Sequence, residues 1–267
     1  EAAHGCAPYA RYWMHNGLLT MASGQKMGKS LGNVFGIKAA LKEFPAEALR
    51  IYYLQVHYRS PLPWNVDALP DALGLVARLY EAKDNAEQME GDEKLDAVVA
   101  ALGADAARVL ELASSFRERF YAAMDDDFNT AKALGYAFEL ARAVNRLSNH
   151  KKAKKRGGPV ARLALDAFAV LTDALGLLGQ SGDAFVEEVK DKRLPALGLT
   201  REAVEQKLAA RVAARGAKDW ERADALRAEL EEAGIGGVDW AGCGGWRVRG
   251  GGGGGGWRIR IDVREDA

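Results

Sequence analysis

The strongest constraint on the fold is a set of apolar stripes at helical spacing between residues 67 and 179. Leu69, Leu73, Val76 and Tyr80 form the first stripe; Val109, Ala113, Phe116, Phe120 and Met124 form the second. Leu134, Phe138 and Ala141 make a third, and Val160, Leu163, Ala167, Val170, Ala174 and Leu178 a fourth. Apolar residues three and four apart share one face of an α-helix, and a helix with one apolar face must bury it. Four such helices predict an antiparallel bundle. The triplet Asp125, Asp126 and Asp127 falls between the second and third stripes. Three carboxylates suit a hard cation. Their place between two striped helices instead favours a structural role, with Asp127 or Asn129 as a helix cap.

The flanking segments have other textures. Residues 1–66 mix aromatics, glycines and short apolar runs, as at the edge of an α/β domain. Residues 18–21 read as a strand, 22–25 as a turn and 26–33 as a glycine-punctuated loop. Two helices follow over 37–44 and 46–56, divided by Pro45. Within the bundle, 151–158 (KKAKKRGG) reads as a solvated loop, with phosphate contact as its alternative. Residues 180–199 read as an irregular linker and 200–249 as a small α+β unit. In that unit Thr200 and Asp219 are N-cap candidates and Gly234 a helix stop. Trp220, Ala223, Leu226 and Leu230 share a face of its last helix, which favours core packing for Trp220, with stacking on an unpaired RNA base as the alternative. Trp246 is a candidate platform for an unpaired RNA base. Residues 250–267 form a flexible tail containing seven consecutive glycines.

Composition narrows the class. Lys+Arg and Asp+Glu both number 37, so broad positive potential for coating nucleic acid is absent, although local patches can still hold a structured RNA. The two cysteines, Cys6 and Cys243, make neither a disulfide framework nor a self-contained metal site. No apolar run reaches membrane-spanning length and no signal pattern opens the chain, so a soluble, cytoplasmic protein is expected. The first residue is Glu1 rather than Met, which suggests a piece of a longer chain.

Lys26-Met27-Gly28-Lys29-Ser30 is the pentapeptide with the most chemistry in it. Two lysines three apart on a glycine-bearing loop can close over a polyphosphate, because each is a flexible point charge with three donors. When an acid is adenylated, negative charge grows on the departing pyrophosphate, and prepositioned ammonium groups stabilise it. Ser30 adds a hydroxyl donor. Two lysines on a surface loop are otherwise ordinary solvated charge, and only context decides between the readings.

That context is specific. Residues 12–17 (YWMHNG), a short strand, and residues 24–33 (GQKMGKSLGN) together resemble class I aminoacyl-tRNA synthetases around their KMSKS signature. Within that class the chain resembles cysteinyl-tRNA synthetases. The likeness continues in order through 57–62 (HYRSPL), 123–130 (AMDDDFNT), 218–220 (KDW) and 223–227 (ADALR), so it spans roughly residues 9–247. The family has serine at the place of Gly28, a departure that keeps both lysines but loosens the loop.

The resemblance implies a mainly α chain. It begins with the C-terminal edge of a Rossmann-like catalytic domain (1–66), continues as an anticodon-binding bundle of DALR type (67–179), and ends in the small α+β unit. The implied reaction is ATP-dependent activation of cysteine and its transfer to tRNA(Cys). Lys26 and Lys29 are the implied catalytic residues, and Lys26, Met27, Gly28, Lys29, Ser30 and His15 the implied ATP contacts. His15 is placed near the adenosine, with packing beneath the loop, beside Trp13, as the alternative. Arg59 is an implied tRNA contact in a region that guides the acceptor stem; the alternative is a helix C-terminus stopped by Pro61 and Pro63.

ATP enters with Mg2+ as a substrate, and the family holds a Zn2+ that grips the substrate thiolate. Its zinc ligands lie upstream of the part matched here, so no metal ligand is assigned to this chain. The chain alone is expected neither to bind zinc nor to activate cysteine. A monomer is expected. The alternatives are a noncatalytic tRNA-binding fragment, or a paralogous ligase that attaches cysteine to an amino sugar.

Overall fold

A computed structural model describes residues 5, 8–21, 36–65, 68–238 and 245–248. Helices dominate, as the stripes predict. Strand β1 (Leu19–Met21) pairs in parallel with β2 (Leu62–Trp64), with Leu19 opposite Leu62 and Met21 opposite Trp64. Between them lie α1 (Ile37–Glu43) and α2 (Ala46–Leu54), separated at Pro45. β2 has a simple local cause. Pro61 and Pro63 push the residues before them toward extended backbone, so this stretch straightens into a strand.

The bundle consists of α3 (Leu69–Glu87), α5 (Ala104–Asp125), α6 (Thr130–Ser148) and α8 (Gly158–Leu175), packed mutually. Val76, Val109, Phe116, Phe120, Leu134, Leu140, Val160 and Phe168 meet in its core. Two shorter helices were not marked by the four stripes. In α4 (Leu95–Leu102), Val98 and Leu102 are buried, and Gly103 at φ 71° turns the chain into α5. The fourth stripe is also shorter than its spacing predicts. α8 ends at Leu175 with Gly176 in the left-handed region, Ala174 is exposed, and Leu178 is buried only after the chain has left the helix.

The expectation of a solvated loop over 151–158 needs correction. α7 (Ala153–Arg156) is a single turn whose Ala153 is fully buried. Arg156 forms a charge-assisted pair with Glu93, and backbone bonds join Glu90 to Lys154 and to Gly158. Only Lys151, Lys152, Lys154 and Lys155 keep the exposure expected of a basic run. Composition alone could not anticipate this, because the partners lie some sixty residues upstream.

The irregular linker is likewise a helix, α9 (Gly182–Ala196), capped by Ser181, whose hydroxyl accepts from the Ala184 N–H. Phe185 is fully buried and stacked on Tyr80 at 4.3 Å between ring centroids. Lys192 donates to the carbonyls of Leu41 and Phe44, and the Arg193 guanidinium lies 4.3 Å from the Phe44 ring. Lys192 and Arg193 of α9 are thus turned onto α1 and Phe44, so charged side chains occupy positions that an apolar stripe would otherwise mark in the sequence.

The small unit contains α10 (Arg201–Gly216), α11 (Trp220–Glu232) and the antiparallel pair β3 (Ile235–Val238) with β4 (Gly245–Val248). Thr200 and Asp219 cap the two helices as expected, and Gly234 follows α11 at φ 81°. Trp220 does not pack in a core: it is 58% exposed, while Ala223 and Leu230 on the same helix are buried. At the first position of α11, one turn ahead of Ala223, it reaches past the end of the buried face. The expected glycine-rich tail over 250–267 lies outside the described residues.

Candidate functional site

The described residues converge on one junction, where the β1–β2 edge meets the α5–α6 corner. α2 ends at Leu54, and the chain turns through His57–Ser60, closed by the Ser60 N–H donating to the His57 carbonyl at 2.8 Å. The Tyr58 carbonyl accepts from the Gly17 N–H at 2.7 Å, and the Leu62 N–H donates to the Leu18 carbonyl at 3.0 Å. The turn therefore carries β1 on its back.

Opposite it, α5 ends at Asp125 and the backbone reverses with Asp127 at φ 53° and Phe128 at φ 54°. Two consecutive non-glycine residues in the left-handed region are costly, and such strain persists only where the surroundings demand it. Bonds from the Phe128 N–H to Met124 and from the Asn129 N–H to Ala123 close the end of α5. The Asn129 side chain then accepts from the Lys132 N–H and caps α6. Of the two cap candidates, Asn129 takes the role.

Asp127 faces the turn. Its carboxylate accepts from the Tyr58 hydroxyl at 2.7 Å, from Arg59 Nε at 2.6 Å and from Arg59 Nη2 at 3.1 Å; His57 Nε2 stands 3.9 Å away. The hydrogen bonds from Arg59 and Tyr58 favour its charged form and hold its pKa down to about 2. The same contacts raise the Tyr58 hydroxyl and the Arg59 guanidinium. Phe128 meets the Tyr58 ring edge-on at 6.4 Å, and the Thr130 hydroxyl donates to the Leu54 carbonyl at 2.9 Å. A second set of bonds ties the same helix to the far end of the bundle. Arg50 donates to the Leu175 and Gly176 carbonyls, and Glu47 accepts from the Tyr80 hydroxyl and the Leu178 N–H.

Residues 1–74 match the model of the class I tRNA synthetase (C) catalytic domain, and residues 119–179 match the DALR domain. The cysteine–tRNA ligase of Geobacter sulfurreducens is 40% identical over 253 residues, which is 93% of this chain and 50% of that protein. Those of Geobacter metallireducens and Solidesulfovibrio magneticus are each 39% identical over 236 and 238 residues, 88% of this chain and 47% of theirs. Over most of its length the chain is thus similar to cysteine–tRNA ligases. It spans about half the length of the curated relatives it matches.

The structure distributes the expected site residues unevenly. Lys26, Met27, Gly28, Lys29 and Ser30 lie outside the described residues. His15 and Trp13 are exposed ahead of β1, so neither is packed into the described core. Trp246 pairs with Gly237 between β4 and β3 through the backbone. Arg59 is held by Asp127 rather than standing free. Sequence reasoning took the blocks at 57–62 and 123–130 as separate features; their complementary charges were a signal, but 68 residues separate the partners. Tyr58 and Thr130 were not singled out at all.

Among the described residues, no three His, Cys, Asp or Glu side chains converge to hold a metal ion. They do not fit a zinc site. No described helix is long and apolar enough to cross a membrane.

Proposed function

We propose that this chain supplies the ATP-phosphate segment and the tRNA-recognition bundle of a cysteine–tRNA ligase. The observation that carries the reading is the order of two matches, catalytic-domain edge first and DALR domain second, with the Arg59–Asp127 pair tying one to the other. In this reading ATP and cysteine form cysteinyl-adenylate, and cysteine then passes to the terminal ribose of tRNA(Cys). Lys26 and Lys29 neutralise charge growing on the pyrophosphate, with Lys29 acting on the transition state. Met27, Gly28 and Ser30 join them as ATP contacts, and His15, exposed ahead of β1, meets the nucleotide. The bundle and the small unit bind the tRNA, with Trp246 as a stacking platform.

Arg59 gives two of its five N–H donors to Asp127 and so fixes the turn, while its half-exposed guanidinium keeps donors that can meet an RNA phosphate. The protein acts as a cytoplasmic monomer, with Mg2+ entering on ATP.

Footprinting tests the reading. The chain should shield the anticodon stem-loop of cysteine tRNA from hydroxyl radicals. Uniform weak protection along the whole tRNA would contradict it.

A further inference from the structure

We propose that Asp127 is a positioning residue: from the corner of the bundle it fixes the 57–60 turn, and through that turn the placement of β1. β1 ends at Met21, a few residues before Lys26 and Lys29 in the sequence. The purpose assigned to this contact rests on the ligase reading above; the contact itself rests on geometry.

Three observations form one chain. The carboxylate of Asp127 receives donors from two consecutive turn residues, Tyr58 and Arg59, with His57 beside them. Arg59 engages both carboxylate oxygens, which fixes an angle as well as a distance. On its other side the turn grips β1, because the Tyr58 carbonyl holds the Gly17 N–H and Leu62 donates to Leu18. At the base of this chain, Asp127 holds a left-handed conformation that a glycine would adopt more readily. A side chain retained in a strained position, with every one of its bonds spent on one turn, is set there for what it holds.

Magnitude points the same way. An exposed ion pair adds little to global stability. The effect of this one is local: it removes the freedom of four turn residues and of the strand beyond them. Under the ligase reading this fixes β1, which precedes Lys26 and Lys29 in the chain, relative to the RNA-binding bundle.

The test uses the whole chain with Asp127→Gly and Asp127→Asn, read by amide hydrogen exchange and thermal unfolding. Glycine relieves the strain while removing the carboxylate, so the bundle keeps or gains stability. The Gly17 and Leu62 amides should nonetheless exchange roughly tenfold faster, since they lose a turn held by charge-assisted bonds. Asparagine tolerates the backbone and keeps one acceptor, so it should restore part of that protection. Unchanged exchange at Gly17 and Leu62 in Asp127→Gly would overturn the proposal. So would a loss of protection spread evenly through α5 and α6, the mark of a purely structural residue. Cysteine-tRNA binding by the unaltered chain is measured alongside. Its absence would sink the ligase reading and leave the exchange result standing, whereas unchanged exchange with intact tRNA binding would remove only the role of Asp127.

Discussion

Gly17 lies against the backbone of Ser60 so closely that a Cβ on residue 17 would stand 2.0 Å from the Ser60 carbonyl oxygen and 2.3 Å from its carbon. Neither atom belongs to a side chain that could swing away. Gly17→Ala should therefore push β1 off the turn and cost about 1–3 kcal/mol. Denaturant unfolding measures the loss, and exchange at Leu62 locates it. An alanine variant with native stability would show that the two segments are not held in contact.

A paired substitution separates close packing from helix propensity. A Cβ on Gly158 would meet the Gly91 carbonyl oxygen at 2.4 Å, whereas Gly135, exposed within α6, has nothing within 4 Å. Gly135→Ala should stabilise by about 0.5–1 kcal/mol, because alanine loses less freedom in a helix. Gly158→Ala should destabilise by at least as much. Equal effects from both would contradict the packing of α8 against the 90–91 segment.

Phe185 tests whether 180–199 is a docked helix or a linker. The ring is fully buried and stacked on Tyr80, so Phe185→Ala should cost about 3–5 kcal/mol. It should also open α9 to limited proteolysis ahead of the bundle. A linker would show neither effect.

Asp84 predicts a pH dependence. It lies against Gly182 at the start of α9, and burial, reinforced by Glu87 and Asp183, raises its carboxyl from 3.8 to about 6. Lys83 and the Gly182 N–H oppose the shift without cancelling it. The folded state thus binds this proton more tightly than the unfolded chain. That contribution is fully present below about 3.8 and is lost as the pH rises through about 6. Asp84→Asn should raise stability near neutral pH by on the order of 1–2 kcal/mol, discounted for partial solvent access, and change it little at acid pH. Thermal unfolding across that range decides it; a variant less stable at neutral pH would reverse the sign and refute the account.

Much of this architecture is legible in the chain itself. Stripes such as Leu69–Leu73–Val76–Tyr80 are local, repeat every three or four residues, and point to buried faces that the structure places in one core. Caps at Thr200, Asp219 and Asn129 are equally local, each side chain bonding a backbone N–H three residues on. What escapes is whatever depends on distant partners. α9 hides because Lys192 and Arg193 bury their charged stems on α1, and α7 hides because Glu93 and Glu90 tie it down from afar. Trp220 lies on a buried face by its register, yet stands at a helix start where no described residue covers it. The junction itself was visible only as two halves. Arg59 and Asp127 each belonged to a noticed block, and no spacing rule says that residues 68 apart share a salt bridge.

The most direct measurement is equilibrium binding of this chain to cysteine tRNA and to the same tRNA with a changed anticodon, across a series of salt concentrations. The account predicts a preference of roughly tenfold or more for the cysteine anticodon, retained as salt rises and phosphate attraction fades. Equal, weak and strongly salt-dependent binding to both would contradict it.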